Sequence, residues 1–167
     1  LTIFSLSASS FKLISINIYY WRGMLMLSRE SSNLRILVVD DHELTRLSLQ
    51  LVFSLQENIN VVGLASNGQE AIEMVKCYKP DVIILDLQMP IMDGWLASDY
   101  IKSISPTTQI LAYSSIDEVT FGQNKTRHKF DKFCKKDIPT LDLVALVREL
   151  GQRITDRVNA IAPEVVN

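Results

Sequence analysis

Four short apolar runs in this chain each stop at residues capable of chemistry: RILVVDD at Asp40 and Asp41, DVIILD at Asp86, ILAYSS at Ser114, and FCKK at Lys136. Short runs rich in β-branched residues, separated by stretches of helical period, are the pattern of parallel strands joined by crossover helices. In such a sheet every strand points the same way, so the carboxyl ends share one edge. Open α/β sheets bind ligands at that edge. The runs therefore predict a single site holding three carboxylates, a hydroxyl and an ammonium.

The alternation can be followed along most of the chain. Arg35–Val39 reads as the first strand, and Leu44, Leu47, Leu51 and Leu55 give the period of the first helix. Val61–Leu64 is the second strand, followed by a helix opened by Asn67 and closed before Pro80. Asp81–Leu85, continuously apolar after its first residue, is a central strand buried on both faces. A helix from Trp95 to Ile104 is stopped by Pro106, and Gln109–Tyr113 is the fourth strand. Residues 117–129 have the weakest period, with Gly122 inside and Lys125, Arg127 and Lys129 clustered, and predict a short or mobile helix. Lys132–Lys135 is the fifth strand. The last helix, from Thr140, carries Leu143, Val147, Leu150, Ile154, Val158 and Ile161 on one stripe. Five such units with right-handed crossovers make an α/β, doubly wound parallel sheet.

At 167 residues the chain suits one domain. We read residues 1–33 as an N-terminal extension, 34–150 as the domain and 151–167 as a C-terminal helical extension. A net charge of -2, from 17 basic and 19 acidic residues, supplies no global basic field for nucleic acid, so any DNA role passes through a partner. Cys77 and Cys134 form no metal or redox spacing and read as reduced thiols of a cytoplasmic protein. The first 23 residues are apolar and serine-rich. Ser5, Ser7, Ser9, Ser10 and Lys12 interrupt a membrane span, and NIYYWRG does not suit a signal peptide. Met24 or Met26 is the expected natural start; the alternative is a weak membrane-surface anchor.

Three carboxylates at one point repel each other, so the edge calls for a cation. The donors are hard oxygens, which suits Mg2+. Asp41 and Asp86 are expected as direct ligands with the backbone carbonyl of Gln88, and Asp40 through water. Asp86 ends the most apolar strand and so sits centrally, as the nucleophile. Lys136 and Ser114 would balance and hold the equatorial oxygens of a phosphoryl group. Singly, these residue types are commonly helix caps, solvated charges and turn residues; their joint placement at strand ends is what argues for a site. His42, beside the aspartate pair, raises a phosphohistidine carrier or a metal ligand as alternatives, but reads first as a polar residue opening the first helix, and His128 as a surface residue. Trp95 either lines the approach to Asp86 or packs on its own helix.

Together ILVVDDHELTR, DVIILDLQMPIMDG, ILAYSS and FCKKD resemble the receiver (CheY-like) domain of two-component response regulators, over residues 34–150. The nearest branch is the NarL type. The resemblance implies a flavodoxin-like, five-stranded (βα)5 fold with strand order 2-1-3-4-5. It implies that Asp86 takes a phosphoryl group from a sensor histidine kinase or phosphotransfer protein, with Mg2+ as cofactor, and that output to a downstream protein runs through the face made by the fourth helix, fifth strand and fifth helix. Phe133 matches the family's switch aromatic, and Ser114 the hydroxyl coupled to it. Such a domain is a phosphoacceptor switch, catalysing only its own phosphorylation and dephosphorylation.

Departures from the family are visible. TRHKFDKF stands where Ala-Gly-Ala often precedes the fifth strand, and Asp137 replaces a common proline, leaving the isomer of that peptide bond open. The 30 residues after Asp137 are expected to hold the last receiver helix without a DNA-binding output domain. Ile116, two past the hydroxyl, is expected to cover the phosphoryl group partly. The competing reading is a receiver-like interaction module independent of phosphorylation. A haloacid dehalogenase-type phosphatase would want aspartate where Gln88 stands. The last helix offers a stripe for homodimerisation, with Gly151 and Pro163 against a long coiled coil.

Overall fold

In the computed structural model the described residues are 33–116, 121–122 and 129–161, with side chains to 156. The expectations for the first 23 residues, for Lys125, Arg127 and His128, for Pro163, and for the side chains of Val158 and Ile161 lie outside them. Among the described residues the elements run, in order, β1 (Leu34–Val39), α1 (Glu43–Ser54), β2 (Ile59–Ala65), α2 (Gly68–Tyr78), β3 (Val82–Leu85), α3 (Gly94–Ile104), β4 (Gln109–Ser114), β5 (Lys132–Lys135) and α4 (Thr140–Ile161). The strands form one parallel sheet in the order β2-β1-β3-β4-β5. This is the doubly wound parallel sheet that the alternation predicts, in the flavodoxin-like order that the family resemblance implies.

The period-2 geometry of β1 divides the core. Ile36 and Val38 face α1 and α4, where Leu49, Phe53, Leu143, Val147 and Leu150 cover them. Leu37 and Val39 face α2 and α3, against Ala71, Val75, Ala97 and Ile101. All four residues of β3 are buried, which is why that strand reads as a continuous apolar run. Burial of a side chain of this size contributes about 1.5–3 kcal/mol, so the central strands hold the edge residues on a rigid base.

The first helix forms where the period places it, and the structure adds its phase. Leu44, Leu47 and Leu51 of α1 and Leu55 just past its end, whose spacing gave the helical period, are exposed, Leu44 by 80%. The core face is Leu49 and Phe53. Both series obey a three-or-four spacing, so the period identifies the helix without fixing its phase. Phe53, fully buried, packs over β1 with Leu49 beside it.

Local signals set the helix starts. The Asn67 side chain accepts the Glu70 N–H at 2.9 Å, while the Glu70 carboxylate accepts the Ser66 N–H at 2.7 Å, closing a reciprocal cap. Those bonds from the Ser66 backbone and hydroxyl hold Glu70 below its ordinary acidity range. The last helix crosses the start of β1 closely: a Cβ at Gly151 would lie 2.5 Å from Leu34 Cδ1. Every peptide bond among the described residues is trans, the Lys136–Asp137 bond included. None of the helices among the described residues is long and apolar enough to cross a membrane.

Candidate functional site

The sheet order brings the carboxyl ends of β1, β3, β4 and β5 side by side. Strand ladders continue one residue past each end and fix the residues there. Asp40 N–H donates to Ala65 O at 3.1 Å, Asp86 N–H to Val39 O at 2.9 Å, and Lys136 N–H to Ser114 O at 2.9 Å. Asp40 and Asp86 are only 1% and 3% exposed.

Lys136 ties the two buried carboxylates together. Its Nζ donates to Asp86 Oδ2 at 2.7 Å and lies 2.8 Å from Asp40 Oδ2. Burial works against the lysine's charge, but the bonds and field of Asp40 and Asp86 outweigh it and raise its pKa above the ordinary lysine value. Tyr113, in β4, donates its hydroxyl to Lys136 O at 3.3 Å and lays its ring 6.0 Å from Nζ. Burial, the largest influence on it, pushes the Tyr113 phenol up.

The loop after β3 is pressed against α3. Asp86 Oδ1 accepts the Gln88 N–H at 3.2 Å, and Gly94 N–H donates to Leu87 O at 3.1 Å. A Cβ at Gly94 would fall 2.0 Å from Asp86 O. Only glycine lets the first residue of α3 sit there, and this contact fixes the height of Asp86 at the sheet edge.

Asp40 and Asp41 are held from α1. Arg46, one turn into the helix, donates Nη1 to the carbonyls of Asp40 at 2.6 Å and Asp41 at 3.0 Å. His42 N–H donates to Asp40 Oδ1 at 2.9 Å, and His42 Nδ1 lies 2.8 Å from Asp41 Oδ1. Donor atoms of Asp40, Asp41 and His42 all fall within 4.8 Å of one another. Asp41 Oδ1 and Asp40 Oδ2 are buried and lack hydrogen bonds of acceptable geometry among the described residues, close as His42 and Lys136 are. Buried oxygens in surplus over the one ammonium fit a divalent cation.

Ser114 is fully buried, and its Oγ has no hydrogen-bond partner among the described residues. On the neighbouring strand Phe133 is half-buried and packs with Phe121, Phe130, Trp95 and Ile116 over Leu87 and Ala112. Trp95 packs on rings from outside its own helix, Phe121 and Phe130.

Residues 36–148 match the family model described as the response regulator receiver domain. The chain belongs to the response regulator receiver family. Among similar proteins, the transcriptional regulatory protein NarL of Mycobacterium tuberculosis is 33% identical over 127 residues, covering 76% of this chain and 59% of that protein. The nitrate/nitrite response regulator NarL of Escherichia coli is 32% identical over 114 residues, 68% of this chain and 53% of that protein. This receiver thus spans between half and three-fifths of the length of those relatives. The solved receiver domain of Mycobacterium tuberculosis NarL superposes with a TM-score of 0.68 at 32% identity, covering 72% of this chain and 98% of that one. The response regulator domain of Thermotoga maritima CheB gives 0.60 at 30%, over 75% and 96%. Receiver domains in general are phosphoacceptor switches that bind Mg2+ in an acidic pocket.

Several members of this receiver's site were not read from the sequence. Arg46 carried one signal: a cation in the first turn of a helix works against the macrodipole and so asks for a reason. Phe121 and Phe130 lie in or beside the segment of weakest period, and nothing local marked them. For His42 the sequence raises a metal-ligand role beside the aspartate pair but favours a helix-opening residue.

Proposed function

We propose that this receiver accepts a phosphoryl group on Asp86 from a sensor histidine kinase or phosphotransfer protein, in a Mg2+-dependent reaction, and signals through contacts with a downstream protein in the cytoplasm. The observation carrying this reading is Lys136 Nζ held between Asp86 Oδ2 and Asp40 Oδ2 at 2.7 and 2.8 Å. An ammonium so placed can leave the carboxylate for a phosphoryl oxygen without moving far.

In this mechanism an Asp86 carboxylate oxygen attacks phosphorus, the P–N bond of the phosphohistidine breaks, and the imidazole leaves as the acyl phosphate forms. Lys136 then balances charge on a phosphoryl oxygen, and Ser114 Oγ, buried and unpartnered among the described residues, donates to another. A divalent ion on Asp41, Asp86 and the Gln88 carbonyl, with Asp40 through water, would neutralise the developing phosphoryl charge. Phe133, one strand from Ser114, reports the change to the face that β5 shares with α4. The exposed row of Leu44, Leu47, Leu51 and Leu55 begins two residues past His42 and supports α1 as the docking face for the donor. The stretch of α4 past residue 150 supports a homodimer contact.

Incubation with Mg2+ and acetyl phosphate should give an acid-labile phosphate, and beryllofluoride should change the tryptophan emission. Asp86→Asn should show neither response. Failure of the wild type to label, or equal labelling of the variant, would overturn the reading.

A further inference from the structure

We propose that His42 Nδ1 is a ligand of this receiver's divalent ion, and that it opens the acidic pocket to nitrogen-accepting ions of the zinc class as well as to magnesium. The proposal rests on the reading of the pocket as a cation site.

The geometry is that of donors converging on a common point. Ligand bonds of about 2.0–2.2 Å put neighbouring donors of one ion roughly 3 Å apart. His42 Nδ1 lies 2.8 Å from Asp41 Oδ1 and 3.5 Å from Asp40 Oδ1, on either side of that figure. Asp41 Oδ1 is buried, and the approach of Nδ1 does not have the angles of a hydrogen bond. The two atoms therefore face each other without an established donor and acceptor.

The scaffold holds this arrangement. His42 N–H is fixed on Asp40 Oδ1 at 2.9 Å, His42 O accepts the Arg46 N–H at 3.2 Å, and Arg46 Nη1 clamps both aspartate carbonyls. Asp40 and Asp86 are each engaged by Lys136 through Oδ2 and by a backbone N–H through Oδ1. Asp41 and His42 bring their donors within 4.8 Å of Asp40 from outside that lysine pairing.

The chemistry then sets which ions gain. Magnesium takes oxygen ligands and gains little from imidazole, whereas zinc and its neighbours bind imidazole nitrogen strongly. His42 thus adds affinity for one class and leaves the other nearly unchanged.

Binding of Zn2+ and of Mg2+ to the full chain by calorimetry, with the imidazole 15N resonances followed in parallel, tests this. His42→Ala and His42→Asn should each weaken the zinc event at least tenfold and change magnesium affinity less than twofold. Asp41→Asn should weaken both, and zinc should shift the His42 Nδ1 resonance. Zinc affinity equal within twofold in wild type and both His42 variants, or a zinc event insensitive to Asp41→Asn, would overturn the proposal while leaving the magnesium site standing. Absence of magnesium binding that responds to Asp41→Asn would instead remove the underlying cation site.

Discussion

Phe133 lies face to face with Phe121, ring centroids 4.4 Å apart and planes inclined by 20°. Phe121 stacks in turn on Trp95 at 5.5 Å, and Phe130 meets Trp95 edge-on at 5.3 Å. Trp95 belongs to the first turn of α3, whose start bears on the Asp86 carbonyl through Gly94. The rings therefore join β5 to the loop that carries Asp86. With Trp21 replaced by phenylalanine so that Trp95 alone emits, Phe121→Ala should red-shift the emission and cost about 3 kcal/mol, at the low end for removing a buried phenylalanine. Unchanged emission would mean the rings are not coupled.

Among the described glycines, Gly94 leaves the least room for a side chain. A methyl there would meet backbone, not a movable side chain, at 2.0 Å from Asp86 O. Gly94→Ala should therefore destabilise by about 3 kcal/mol or more, the upper end of overpacking costs, and abolish labelling by acetyl phosphate even in the folded fraction. Chemical denaturation beside a phosphorylation assay separates the two effects. A variant as stable as wild type would contradict the close approach.

Ile91 sits in the same loop with φ of 69°, a conformation that β-branched residues rarely adopt, and its side chain is 79% exposed. It bears strain with little packing to offset it. Replacement by glycine should stabilise the chain by about 1 kcal/mol, since the left-handed conformation costs an L-residue roughly 1–2 kcal/mol and glycine returns part of that in unfolded-state entropy. Thermal unfolding measures it, and a lower melting temperature for Ile91→Gly would count against the argument.

These examples mark how far the residues announce themselves. Strand ends at Asp40, Asp86, Ser114 and Lys136 are legible because a β-branched run and its polar stop are neighbours in the chain, whereas the alternation gives a parallel sheet without its strand order, which only the family resemblance implies. The phase of α1 is not, because leucines on both sides of the helix satisfy one period, and it is the structure that puts Leu49 and Phe53 over β1. Arg46 and Phe121 touch groups reached across a helix turn or from another element, so local pattern carries little of their role. Strain at Ile91 is likewise a property of the loop path fixed by Gly94, not of the residue itself.

The two thiols should behave differently. Burial pushes the Cys134 thiol up to about 12, while Cys77 is exposed on α2. Reaction with a disulfide reagent proceeds through the thiolate and needs access. Native protein at pH 8 should consume one equivalent quickly, lost in Cys77→Ser, and the second only on unfolding. Two equivalents at equal rates would place Cys134 elsewhere.

Lys136 should leave its mark on the pH dependence of stability. Burial opposes its charge, but Asp40 and Asp86 outweigh that and raise its pKa in the folded state above 10.5. A raised folded pKa contributes stability that is complete below the unfolded value and disappears as pH climbs through the folded one. In chelator, wild type should accordingly lose stability above pH 10.5 by a step that Lys136→Met lacks. At pH 7 the same substitution leaves two buried carboxylates facing each other without a counter-charge, and breaking a pair of that kind costs about 3–5 kcal/mol. Magnesium should restore part of that loss in the variant, because a cation in the pocket can take over the charge balance. Urea denaturation of both proteins from pH 7 to 11, with and without the ion, measures all three effects. Parallel curves for wild type and variant would show that the ammonium does not hold the edge together.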